Sequence, residues 1–205
     1  MRKLPWPPPP ADLQRVRAEY HTPSKATLIA RIYARGGRHP TAWHDFRFDG
    51  PLASARFDPH TGGERRGALY GSRDLTTCVA EIFQGSRVVD RFADDRCLAA
   101  FRVTRSVRLL DLTGDWPTRA GASQAIASGP RLRAQACART IYDAHPNVEG
   151  LWYLSSMHGG HPALVLFERA EDALPSDPDL DVPLSHPGLL PDLMRAAGSL
   201  GYLLV

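Results

Sequence analysis

Short apolar runs, each carrying one polar residue among hydrophobic neighbours, constrain this chain more than any other feature. Arg31 lies in Leu28-Ile29-Ala30-Arg31-Ile32-Tyr33, Arg56 in Ala55-Arg56-Phe57-Asp58-Pro59 and Tyr70 in Ala68-Leu69-Tyr70. Glu81 lies in Val79-Ala80-Glu81-Ile82-Phe83, and Ser155 closes Leu151-Trp152-Tyr153-Leu154-Ser155. A polar group in such a run costs free energy unless it has a partner or a task. The runs are too short to span a membrane. Strand-like and helix-like segments are interspersed without regular alternation, which fits a doubly wound parallel sheet poorly. The expected fold is α+β, with a mixed or antiparallel β core flanked by helices.

Composition narrows the class. At 205 residues and 43% hydrophobic content, one domain with a real core is expected, and global disorder is excluded. A net charge of +3 is too small to argue for nucleic acid. The three cysteines, Cys78, Cys97 and Cys137, have spacings that suit neither a disulfide framework nor a zinc site. Buried thiols in a reducing, cytoplasmic compartment are the expectation. The opening Pro5-Trp6-Pro7-Pro8-Pro9-Pro10 has no apolar core of a signal peptide.

Along the chain, residues 1–10 read as an extended, proline-rich lead. Leu13, Val16 and Tyr20 suggest a helix over 11–20, and alternation predicts a strand over 27–35 with Ile29, Arg31 and Tyr33 sharing a face. A loop over 36–50, a short strand over 54–57, a turn-rich stretch to residue 63 and a strand over 68–71 follow. Ser72 or Asp74 can cap a helix reaching Phe83, with Leu75, Val79, Ile82 and Phe83 inward. Glu81 sits near the C-terminal end of that helix, where the dipole disfavours a carboxylate. Residues 97–112 are β-rich and 123–127 helical, and Pro130 can open a helix to residue 144. Strands over 150–155 and 162–167 make a hairpin. Residues 171–191 read as an acidic surface excursion, and 189–205 as a helix with a final strand. The expected organisation is an N-terminal extension over 1–26, a catalytic domain over 27–169 and a C-terminal segment over 170–205 that packs on it.

Chemically, the polar set suits cleavage of an N-glycosidic bond such as nicotinamide–ribose, which passes through an oxocarbenium-like state. Glu81 is the carboxylate that could stabilise the cation. Arg31 and Arg56 could grip a diphosphate through bidentate bonds. Tyr70 could stack on the nicotinamide ring or fix the ribose, and Ser155 could hold the nicotinamide ribose or amide. NAD would be a substrate; no cofactor or metal is required. Singly, each residue has a plainer reading: Arg31 in an ion pair with Glu81, Arg56 at the surface, Tyr70 in the core, Glu81 solvated and Ser155 a strand-end hydroxyl. His158-x-x-His161, weighed with His145, has no third metal ligand placed by the sequence. No Gly-x-Ser-x-Gly elbow supports a serine hydrolase.

The ordered set resembles the RES domain family, over roughly residues 27–169. The matching segments are Arg31-Ile32-Tyr33, Ala55-Arg56-Phe57-Asp58-Pro59 through Tyr70, Val79-Ala80-Glu81, and Gly150 to Ser155 with Ala163 to Phe167. The resemblance implies a fold like that of ADP-ribosyltransferase toxins and a toxin role in a toxin–antitoxin pair. It also implies NAD destruction by hydrolysis or phosphorolysis, with protein mono-ADP-ribosylation as the alternative. A non-catalytic partner-binding module is the rival from another class. Arg31, Arg56, Tyr70, Glu81 and Ser155 match the family's site positions, and Tyr33 and Ser156 match less closely. The implied partner is a helix-turn-helix antitoxin, through which alone DNA would be contacted; no membrane is involved, and a homodimer is compatible with this reading.

Overall fold

The computed structural model describes residues 5–61 and 65–205. In chain order the elements are α1 (Pro10–Leu13), β1 (Tyr20–His21), β2 (Leu28–Ala34), β3 (Ala68–Ser72), α2 (Leu75–Phe83), β4 (Val88–Val89), β5 (Arg96–Arg102), β6 (Leu109–Asp111), α3 (Trp116–Arg119), α4 (Arg131–Ala144), β7 (Gly150–Leu154), β8 (Pro162–Phe167), β9 (Leu180–Pro183), α5 (Leu190–Leu200) and β10 (Leu203–Leu204). The main sheet has eight strands in the order β1-β6-β7-β8-β3-β2-β5-β9, and β4 pairs with β10 in a separate two-stranded ribbon. Within the main sheet β6 and β7 run parallel, and the other neighbours are antiparallel. The fold is thus α+β with a mixed sheet.

Helices cover one face of the sheet in two blocks. The apolar stripe of α4, including Ala134, Cys137 and Ile141, packs on Leu151, Tyr153, Val165 and Phe167. α2 and α5 bury Val79, Phe83, Leu193 and Ala197 against Ala30, Ile32 and Leu98. The opposite face carries Ile29, Tyr33, Leu69, Phe101 and Leu166 beneath Trp43 and Phe46 from the 36–50 loop. No helix among the described residues is long and apolar enough to cross a membrane.

The strand junction matters most for function. β2 pairs with β5 from Leu28↔Arg102 to Ala34↔Arg96, but it meets β3 at one register position, Ala30↔Ser72. The two strands meet at that junction and do not pair along their lengths. α2 starts just beyond Ser72, so its first turn stands at the junction.

Several local expectations yield to pairing and packing. The helix over 11–20 stops at Leu13, because Tyr20 and His21 are taken into the sheet opposite Leu110 and Leu109. Residues 54–57 form no strand; Phe57 is buried in the core under α4 without pairing to any strand. In α2 the inward residues are Thr77, Cys78, Val79, Ala80 and Phe83, whereas Ile82 is 39% exposed. The 171–191 segment is no surface excursion throughout: β9 adds an edge strand to β5 and Leu184 is fully buried. Residues 1–4 of the proline-rich lead, and residues 62–63 of the turn-rich stretch with residue 64 after it, lie outside the described residues.

Gly150 shows how tight the sheet is. A Cβ there would lie 2.2 Å from the Val165 carbonyl oxygen and 2.8 Å from Leu109 Cδ2. Backbone on a paired strand cannot give way cheaply. Gly150→Ala is expected to destabilise the fold by at least about 3 kcal/mol, measured by urea denaturation.

Candidate active site

Four of the sequence-predicted residues converge on the helix-covered face of the sheet. Glu81 leaves α2 on the side toward the loop after β7, where its Oε1 accepts a 2.6 Å hydrogen bond from Ser155 Oγ. α2 is aligned for this by Asp74, whose carboxylate accepts from the Thr77 amide at 2.9 Å and caps the helix. Ser155 is 3% exposed. Its Oγ also accepts from the amides of Met157 and His158 at 3.1 and 2.9 Å, and its own amide donates to the His161 carbonyl at 2.8 Å. The serine is therefore fixed by the loop it opens. Ser155→Ala should leave the two amides without that acceptor and lower stability by about 1–3 kcal/mol; chemical denaturation reads the loss.

Arg56 comes from an irregular loop, half-buried, with its Nη1 donating 2.5 Å to the Gly129 carbonyl just before α4. Burial lowers its pKa and the nearby Arg131 adds to this, while Glu81 opposes both. Arg131, in the first turn of α4, donates 2.7 Å to Gln84 Oε1, and Gln84 Nε2 donates 2.6 Å to the Glu81 carbonyl. Two guanidiniums thus act on one another's charge near one carboxylate, the charge pattern of an anion site.

Tyr70 takes a more structural place than a ring-stacking role requires. Its hydroxyl accepts from the Phe57 amide at 3.0 Å and donates to Asp58 Oδ1 at 2.9 Å. Burial and Asp58 hold the phenol well above its ordinary pKa, so it stays protonated. Asp58 is fully buried and also accepts from Arg47 Nη2 and from the Leu52 amide at 2.8 Å. This carboxylate clamps the loop that carries Arg56.

Arg31 sits beside the β2–β3 junction but on the opposite face. Ala30 faces the same way as Ser72 and Tyr70, so alternation turns Arg31 and Tyr33 to the other face. Arg31 Nη1 donates to the carbonyls of Trp43 and Asp45 at 3.0 and 3.2 Å. Among the described residues it forms no ion pair with Glu81. Burial lowers its pKa to about 10, so it stays cationic at neutral pH. Its Nε is buried with no hydrogen-bond acceptor in the protein. The Cys78 thiol, pushed up by burial to about 12, senses both Arg31 and Glu81. Tyr33 is buried and donates 2.7 Å to Asp181 Oδ1 of β9, a bond that ties the edge strand down. Ser156 is exposed in the loop after β7.

Tyr153 does not stand out in the sequence, yet it lies under the site. It is buried against Phe57, ring centroids 4.6 Å apart, and its phenol is held far above the ordinary value by burial first and then by Glu81. Its position two residues before Ser155 on one strand is the available signal. Asp58 is visible only as part of the Arg56-Phe57-Asp58-Pro59 segment, and Arg131 carries no local signal at all. The structure also supplies the third group missing from the histidine pair: Asp74, His158 and His161 each offer a ligand atom within 4.8 Å of the others. His145 is elsewhere, edge-on to Trp116.

A carboxylate, a hydroxyl bonded to it and two guanidiniums can together hold a phosphorylated sugar and stabilise positive charge on it. Comparisons with known proteins agree in placing the chain. Part of the crystal structure described as the M. tuberculosis MbcT-MbcA toxin-antitoxin complex is similar in fold, with a TM-score of 0.59 and 18% identity, over 91% of this chain and 97% of that one. A comparison with curated proteins found no match. The model of the RES domain matches residues 28–185, most of the sequence and every candidate residue named above. With that match over most of its length, this chain belongs to the RES domain family.

Proposed function

We propose that this chain is the toxin of a toxin–antitoxin pair and acts by cleaving the nicotinamide–ribose bond of NAD. The observation that carries the reading is the 2.6 Å Ser155–Glu81 hydrogen bond beside the Arg56 and Arg131 guanidiniums. Bond cleavage puts positive charge on the ribose ring, and a fixed carboxylate stabilises it most where water is sparse. Glu81 takes that role, positioned by Ser155. In turn, the Ser155 hydroxyl can pass from Glu81 to a ribose oxygen without moving its loop.

Arg56 and Arg131 hold the diphosphate, and its charge relieves their mutual repulsion. From the other face of the sheet, Arg31 adds buried positive charge beside the junction. Tyr70 acts chiefly by holding the Arg56 loop. The solved complex with a similar fold is a toxin bound to its antitoxin. By analogy, a partner protein that covers the Glu81 opening would silence this chain, and operator binding would belong to the partner.

Purified chain incubated with NAD tests the reaction. Free nicotinamide should appear, and the ribosyl product names the acceptor: ADP-ribose for water, its phosphate ester for phosphate, labelled protein for a transferase. No nicotinamide from folded protein under any of these conditions would overturn the proposal.

A further inference from the structure

We infer that Asp74, His158 and His161 form a binding site for a divalent first-row transition ion, zinc above all, that joins the start of α2 to the loop between β7 and β8. This site does not depend on the NAD chemistry. Two imidazoles and one carboxylate are the donor set zinc favours, with a water completing the tetrahedron. Magnesium and calcium prefer all-oxygen sites, which this is not.

The geometry is close to that needed. The three candidate ligand atoms lie within 4.8 Å of one another. Bonds of the usual zinc length place tetrahedral ligands about 3.3–3.5 Å apart. The stacked rings of His158 and His161 already have centroids 3.6 Å apart, at an interplanar angle of 7°. Parallel rings point their lone pairs side by side, so one ring must turn inward. His161 is exposed and follows Gly159-Gly160, with Gly160 at φ +80°, so its ring turns at the cost of the stack on His158.

The hydrogen bonds also show which nitrogen of His158 faces Asp74. The Thr77 hydroxyl lies 2.6 Å from Asp74 Oδ2 and 2.9 Å from His158 Nδ1. It has one proton, and a carboxylate can only accept, so that proton goes to Asp74. Nδ1 is therefore the nitrogen on the Asp74 side, and an ion shared with Asp74 takes its lone pair in place of the Thr77 contact, with the ring proton on Nε2. Asp74 stays attached to the α2 N-terminus through the Thr77 amide while one of its oxygens accepts the ion.

Such an ion would clamp the two segments that bring Glu81 and Ser155 together. Ser155 Oγ is held by the His158 amide, and Glu81 rides on the helix that Asp74 caps. Metal binding is therefore expected to raise the Tm as well as to occupy the site.

The test is a titration of the full-length, tag-free chain with Co²⁺, followed by visible d–d absorption and displaced by Zn²⁺, with thermal melts in parallel. One saturable equivalent and a higher Tm are expected. His158→Ala and His161→Ala should each weaken binding by more than about tenfold, and Asp74→Asn, which keeps the helix cap, should weaken it as well. Glu81→Gln should bind as the parent does, so a failed NAD reading leaves this result intact. No saturable equivalent, or unchanged binding in the His158→Ala, His161→Ala double variant, would overturn the site.

Discussion

Glu81→Gln is expected to lower NAD cleavage by about 10²–10³-fold, the cost of losing one preorganised electrostatic partner of the transition state. The substitution changes charge and little else. The side-chain amide it introduces can still accept from Ser155 Oγ through its oxygen, so the 2.6 Å contact keeps an acceptor. Glu81 is half-buried on the rim of α2, and its surroundings need not repack. Stability should stay within about 1 kcal/mol of the parent, as for most substitutions outside a core. The kinetic signature is a fall in kcat with KM little changed, because the interaction lost belongs to the transition state. A purely structural Glu81 would give the reverse: normal turnover and a weakened fold.

Asp58→Ala should have the largest effect on stability, about 3–5 kcal/mol, as expected when one partner of a buried ion pair is removed. The carboxylate is fully buried and serves Arg47 Nη2, the Leu52 amide and the Tyr70 hydroxyl at once. Its loss leaves a guanidinium at the loop without its counter-charge and two further donors without an acceptor. Against a typical domain stability of about 5–15 kcal/mol, that is a large share. Urea denaturation measures it directly. The Arg56 loop loses its anchor in the same step, so KM for NAD should rise in whatever fraction stays folded. Asp58→Asn, which keeps one acceptor oxygen, should cost less on both counts.

Local chemistry made part of this legible in the sequence. The apolar run over residues 27–35 marks β2 because both strand faces are buried, one against each layer. Asp74 announces α2 because an N-cap needs only its own next turn. The polar residues in apolar runs marked the site because burial makes their cost visible in composition. What escaped depends on partners far away along the chain. The β1 pairing with β6 joins residues about ninety positions apart, and no local period encodes it. The buried Asp58 reads as an ordinary turn aspartate until Arg47 and Tyr70 are brought to it. Tyr33 looks like a site residue from its place beside Arg31, but Asp181, on a segment that reads as acidic surface, makes it a tie for the sheet edge. Arg131 sits in a helix rich in arginine, and only the fold picks it out by setting it near Arg56.

Everything proposed for the site requires that the Glu81–Ser155 pair destroy NAD. Intracellular NAD after induction of this chain alone, beside an equally expressed Glu81→Gln variant, is the deciding quantity. A collapse of NAD with growth arrest is expected for the parent chain, and neither for the variant. Steady NAD with both proteins folded and soluble, or an equal collapse with both, would contradict it.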